Sequence, residues 1–232
     1  YITENVNVKV ETRHEYDSDI HVAEIYVKDV SFLKTAYAGG SFNTAWAKRA
    51  PATELAKEVN AFVATNGDQC AARKQGIMVR NGVLSRKVAY GDVCVLNNDG
   101  SLVTYAQNDF DIKKLETEGA WQAWGFGPRL LDDNGQPMTL FNTTNTIAGV
   151  NPRTAIGMIE PCHYLLITVD GRQNQSEGIL LKSLSKWFHE NGCVSAYNLD
   201  GGATAQMTVN GELYNSPSKD RDCTDIIYIA KE

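Results

Sequence analysis

Three segments of this chain share one arrangement, an apolar run that delivers a polar side chain onto a glycine turn. They are Asn66-Gly67-Asp68, Asp170-Gly171-Arg172 and Asp200-Gly201-Gly202. A carboxylate presented at a strand end can act as nucleophile or general base. An arginine fork suits bidentate recognition of phosphate or carboxylate. Gly201 and Gly202 permit positive φ and let a ligand sit against the main chain beside Asp200. If the strands are neighbours, their ends set carboxylates and arginines at one sheet edge. Arg153, just after Pro152, and Arg221, near the last apolar run, are placed to join them. The plainer alternative is a strand–turn–strand whose Asp bonds its own turn, with each arginine in a surface ion pair. Repetition of the device, rather than any single residue, favours a shared site.

The elements that must position these residues follow from periodicity. His21–Val30 alternates as a strand, and Tyr37–Arg49 reads as a loop rich in Gly, Ser, Asn and aromatics. Pro51 opens a helix with Leu55, Ala56, Val59 and Phe62 on one face. Val63-Ala64-Thr65 is a short buried strand. Gly76–Leu84 is a hairpin with Asn81-Gly82 at its tip, and Val93–Leu96 with Ser101–Tyr105 makes a second. Asp109 is expected to cap a short helix through Ile112 and Leu115 that stops at Gly119. Trp121–Pro128 is either core or a sugar-stacking wall. The polar stretch 132–152 is long enough to be functional or mobile. Asn151–Met158 and His163–Val169 pair as strands, Leu180–Phe188 is a helix ended by Asn191-Gly192, and Cys193–Leu199 leads to Asp200. A hairpin carrying Met207, Val209 and Leu213 follows, and Asp225–Ala230 is the last strand. The reading is an α+β fold, a mixed β-sheet core with several hairpins and a few packing helices, in a single compact domain over 21–232. Residues 1–20 precede it as an N-terminal arm, an ordered edge or a loose one.

The 232 residues, 43% of them apolar, suffice for a sizeable core. A net charge of −6 argues against a nucleic-acid partner. No apolar run reaches the roughly 18 residues needed to span a bilayer. The start at Tyr1 without a signal peptide is read as that of a trimmed or mature ectodomain, one that a segment before Tyr1 could tether to a membrane. Five cysteines without a C-x-x-C pair give no zinc spacing, and buried free thiols are the simpler reading beside one or two bridges. His163 reads as a core histidine, His189 as solvated and Asp132-Asp133-Asn134-Gly135 as a polar turn rather than a calcium loop. No nucleophile elbow, P-loop, dinucleotide fingerprint or H-E-x-x-H is present.

Taken in order, Asn66-Gly67-Asp68, Phe126-Gly127-Pro128, Asn151–Gly157, Asp170-Gly171-Arg172, Asn198–Gly202 and Arg221–Asp225 resemble the phosphodiester glycosidase family. The resemblance runs from about His21 to Ile229 and implies a hydrolase that cleaves the glycosidic bond of a sugar-1-phosphodiester in a glycoconjugate or cell-envelope polysaccharide. It implies Asp200 and Asp170 as the catalytic carboxylates, with Arg153, Thr154, Arg172 and Arg221 towards the phosphodiester. Asn66 and Asp68 would form a polar wall, and Gly201, Gly202 and Thr204 the turn against the substrate. It implies no cofactor, a sugar-phosphate or glycan partner, and a place outside the cell or on its surface. Two departures stand out: Asp68-Gln69-Cys70 where relatives often carry Gly and aromatics, and Gly-Gly-Ala203-Thr204-Ala205 where they often read Gly-Gly-Gly-Ser-Ser. Two rival readings keep the same residues. One is a non-hydrolytic carbohydrate-binding or polymer-modifying protein. The other is a metal-assisted phosphodiesterase in which the aspartates ligate a hard cation such as calcium.

Overall fold

In a computed structural model, which describes residues 1–41, 48–70 and 75–232, strands dominate and build three five-stranded sheets. The first contains β1 (Val6–Glu15), β2 (Ser18–Val27), β10 (Arg153–Glu160), β11 (His163–Val169) and β12 (Ser195–Asn198), in the order β1-β2-β11-β10-β12. The second has β3 (Leu33–Tyr37), β4 (Ala61–Asn66), β13 (Met207–Val209), β14 (Glu212–Leu213) and β15 (Asp225–Ala230), in the order β14-β13-β4-β15-β3. The third holds β5 (Met78–Arg80), β6 (Val83–Arg86), β7 (Val93–Asn97), β8 (Leu102–Tyr105) and β9 (Ala120–Trp124), in the order β6-β5-β9-β7-β8. The expected mixed sheet is corrected on two counts. There are three sheets, and every ladder among the described residues is antiparallel.

Alternation along the strands explains the layers. Ile156, Tyr164 and Leu166 of the first sheet, Val63, Ile227 and Ile229 of the second, and Leu96 and Trp124 of the third turn inward to one shared core. The opposite faces are also apolar, because each is covered. Helix α3 (Leu181–Glu190) packs Leu184, Trp187 and Phe188 onto Ala155, Leu165 and Ile167. Helix α1 (Ala52–Glu58) lays Leu55 and Ala56 against Ala64 and Ile226. Strands buried on both faces read as nearly continuous apolar runs, as β11 and β15 do.

Residues 1–20 form the ordered edge rather than a loose arm. Strand β1 pairs with β2 from Val6↔Val27 to Glu15↔Ser18, around a turn in which Tyr16 and Asp17 both have positive φ. The two chain ends meet at the other end of that hairpin: the Glu232 N–H donates to the Tyr1 hydroxyl at 2.7 Å, and the Tyr1 ring stacks on Phe62 at 4.5 Å. The loop read over Tyr37–Arg49 begins as the end of β3, and its residues 42–47 lie outside the described residues. Among the described residues Asp109 makes no capping bond; Asp111 accepts from the Lys113 N–H at the start of the helical turn that ends at Gly119. All five cysteines are free thiols.

Candidate active site

Strand β10 is antiparallel to both β11 and β12, so those two run the same way and deliver Asp170 and Asp200 towards one edge of the sheet. Beyond β12 the chain is clamped from two sides. The Leu199 N–H donates to the Thr154 carbonyl at 2.8 Å, and the Asp200 N–H to the Gly67 carbonyl at 3.1 Å. Asn66, at the end of β4, donates from Nδ2 to the Asp200 carbonyl at 2.6 Å and accepts from the Thr154 hydroxyl at 2.6 Å. The Asp200 turn is thereby tied to two different sheets. A Cβ on Gly201 would stand 2.6 Å from the Pro152 carbonyl oxygen, so the turn lies hard against the strand that brings Arg153.

A cleft of about 230 Å³ opens at this joint, lined by Asp200, Gly201, Gly202, Arg153, Arg172 and Arg221 together with Phe126. Arg153 is 3% exposed, donating to the Ile179 carbonyl at 3.2 Å and the Gly149 carbonyl at 2.5 Å. Burial, then the neighbouring Arg172 charge, push its guanidinium down to about 10, which still leaves it cationic at neutral pH. Arg172 sits in the left-handed region at φ +61° and donates to Asn151 Oδ1 at 2.8 Å. Among the described residues none of the three arginines forms an ion pair with a carboxylate. A buried cation hemmed by carbonyls and a second cation is a ready partner for an anion.

Five expected site residues stand elsewhere. Asp170 is buried behind the cleft, where it accepts from His21 Nε2 at 3.0 Å, Asn215 Nδ2 at 2.7 Å and the Ser216 N–H at 3.0 Å. Its side chain ties the end of β11 to β2 and to the 215–216 segment and does not line the cleft. Asp68 lies in a buried group with Arg80 and Asp225, at 3.1 Å from Arg80 Nη2 and 3.2 Å from the Gly125 N–H. With Asn66 and Thr154 fully buried, no Asn66–Asp68 wall faces the cleft. Thr204 is buried, its hydroxyl without a partner among the described residues. Ala203 fits the short 3₁₀ turn Gly202–Thr204 without positive φ, so its side chain does not strain the turn.

The cleft also contains residues without a local signal in the sequence. Gln69 replaces Asp68 in the lining, and Ile147 and Asn151 come from the long polar stretch, within which Thr144 caps the short helix α2 (Asn145–Ala148). Of the two readings of Trp121–Pro128, Trp124 is core and Phe126 is wall. Asn198 holds that wall, donating from Nδ2 to the Gly127 carbonyl at 2.8 Å. Burial pushes the Cys70 thiol to about 12, which leaves no thiolate nucleophile there. His163 is a core residue bonded to Glu24 at 3.0 Å, and His189 is exposed, with Nδ1 2.9 Å from the Gly135 carbonyl. Asp132 closes its own turn onto the Asn134 and Gln136 N–H groups. Among the described residues no group of three or more His, Cys, Asp or Glu stands close enough to hold a metal ion, and no helix is long and apolar enough to cross a membrane.

Residues 53–230 match the family described as phosphodiester glycosidase. An uncharacterized SPbeta prophage-derived protein, YomE, of Bacillus subtilis is 33% identical over 71% of this chain and 27% of its own length. The N-acetylglucosamine-1-phosphodiester alpha-N-acetylglucosaminidase of Bos taurus is 27% identical over 78% of this chain and 37% of its own length. The chain thus spans well under half of these relatives. The solved catalytic domain of the zebrafish enzyme of that name, auto-inhibited by its pro-peptide, superposes with a TM-score of 0.75 at 22% identity, covering 98% of this chain and 83% of that one.

Proposed function

The chain belongs to the phosphodiester glycosidase family, and on that premise we propose that its cleft hydrolyses the glycosidic bond of a sugar-1-phosphodiester in a glycoconjugate or cell-envelope polysaccharide, outside the cell or at its surface. The observation that carries the reading is one carboxylate, Asp200, in a cleft with three arginines that lack carboxylate partners among the described residues. Breaking the bond between the anomeric carbon and the phosphate oxygen leaves positive charge on the sugar and negative charge on the departing phosphate. Arg153, Arg172 and Arg221 stabilise that phosphate, and because a phosphate monoester leaves readily, strong general-acid help is not needed. Asp200 either attacks the anomeric carbon or takes a proton from the water that does, and water supplies the new anomeric hydroxyl. Asp170 acts as a positioning residue, through Asn215, which donates to it and to the Ala205 carbonyl at 3.1 Å.

The test is sugar release from a panel of sugar-1-phosphodiesters by the parent and by Asp200→Asn, with and without EDTA. The variant should keep its fold and its binding of the diester while turnover drops by about a thousandfold or more. Undiminished turnover by the variant removes Asp200 from the chemistry. Loss of parental activity in EDTA would favour the metal-assisted route, and binding without turnover by the parent the non-hydrolytic one.

A further inference from the structure

Beside the cleft, and sharing Phe126 and Ile147 with it, lies a second cavity of about 260 Å³. Its remaining wall includes Tyr90, Gln107, Asn142 and Thr143, and among the described residues no charged one lines it. The two compartments therefore differ in kind: one is cationic with a carboxylate, the other neutral, with an aromatic ring, amides and hydroxyls. Neither alone reaches the roughly 300 Å³ at which ligand pockets begin, but joined they do. The second is also built rather than incidental. Asn142 Nδ2 donates to the buried Asp92 at 3.2 Å, and Asp92 in turn accepts from the Gln107 N–H at 3.3 Å and the Arg129 N–H at 3.2 Å. The Asn142 amide is thus held by a buried carboxylate, while the Tyr90 ring is 53% exposed. A flat ring beside fixed amide and hydroxyl groups matches a neutral polyhydroxy ring, whose faces are apolar and whose rim hydrogen-bonds.

We infer that this compartment is a second, uncharged subsite that holds a further neutral sugar unit of the same substrate, so that a monosaccharide phosphodiester with a small aglycone fills only half of the site. The inference rests on the hydrolase reading for what occupies the first compartment. The added unit can be carried by the glycone or by the group on the far side of the phosphate, and the experiment separates the two.

Three substrates are compared by kcat/KM: a monosaccharyl-1-phosphate methyl diester, the same compound lengthened by one neutral hexose on the glycone, and one lengthened by a hexose beyond the phosphate. One lengthened compound should react at least about tenfold better than the short one, and its identity tells which side occupies the subsite. Tyr90→Ala and Gln107→Ala should each bring that compound towards the short one's value while leaving the short one's rate unchanged. Equal kcat/KM for all three, or a gain that survives both variants, overturns the inference. If none of the three is turned over, the hydrolase reading is what has failed, and the subsite is then tested alone. Maltotriose, cellotriose and chitotriose are titrated while the side-chain amide NMR signals of Gln107 and Asn142 are followed. Shifts that Tyr90→Ala abolishes support the subsite, and an unresponsive spectrum overturns it.

Discussion

Arg153 and Arg172 carry like charges into one small cleft, and the protein tolerates this because their donors are spread over carbonyls and an amide oxygen. Each bond to the Ile179, Gly149 and Asn151 oxygens fixes a guanidinium without neutralising it, so the remaining charge acts on whatever enters. Arg172 is the better probe, because it is exposed and Arg153 is not. Arg172→Met should leave the urea midpoint within error of the parent and weaken phosphodiester binding roughly 10- to 100-fold, the loss expected for one charge-assisted hydrogen bond. Titration calorimetry with a non-hydrolysed diester on the Asp200→Asn background checks it. An unchanged affinity would place the phosphate elsewhere.

At the scale of the element, helix α3 settles on the first sheet because Gly157 leaves room for it. A Cβ at that position would stand 2.6 Å from the Phe188 ring and 2.8 Å from the Cys193 sulfur. Gly157→Ala should therefore cost about 1–3 kcal/mol in urea unfolding, the usual effect of overpacking, with kcat/KM at the cleft little changed. Most of the elements could be read locally. Asn81-Gly82 marks the tip of β5–β6, and the apolar runs of β11 and β15 are long enough to identify themselves. What could not be read is pairing at a distance. Strand β4 lies between β13 and β15 through partners such as Thr65↔Met207 and Thr65↔Ile227, and nothing near Thr65 announces either. Strand β1 was obscured for a different reason. Its Val6 and Val8 are core, but Lys9, Glu11 and Arg13 on the exposed side give the stretch a polar average. The site follows the same division: Asp200 and the arginines stand out by type and spacing, whereas Gln69, Asn151 and the retreat of Asp68 and Asp170 depend on non-local contacts.

Across the molecule, the three sheets are joined by buried polar groups at their ends as well as by the shared core. Asn66 and Thr154 couple the second sheet to the first. Arg80 couples the third to the second through Asp68 and Asp225 and donates to the Ala123 carbonyl at 2.5 Å. One guanidinium faces two carboxylates, and burial, with the Asp68 charge adding to it, pushes Asp225 up to about 6. A carboxyl whose folded value lies above its unfolded one, about 3.9 for Asp, holds its proton more tightly when folded. Its contribution to stability is full below pH 4 and is lost as pH rises through 6. Asp225→Asn should accordingly compare best with the parent at pH 7 and worst near pH 4, read as urea midpoints across that range. An unvarying difference would show Asp225 to be ionised throughout.

The place where Tyr1 and Glu232 meet has a consequence for architecture on a larger scale. Tyr1 stacks on Phe62, near the first residue of β4, whereas Asn66 at the other end of that strand holds the Asp200 turn. At about 3.3 Å per residue the strand separates the two by roughly 13 Å. Any polypeptide attached at either end therefore departs from the Phe62 end of β4, while the Asp200 turn is held at its Asn66 end. Neighbours fused before or after the domain would share a single point of attachment, at the opposite end of β4 from the residue that holds the Asp200 turn.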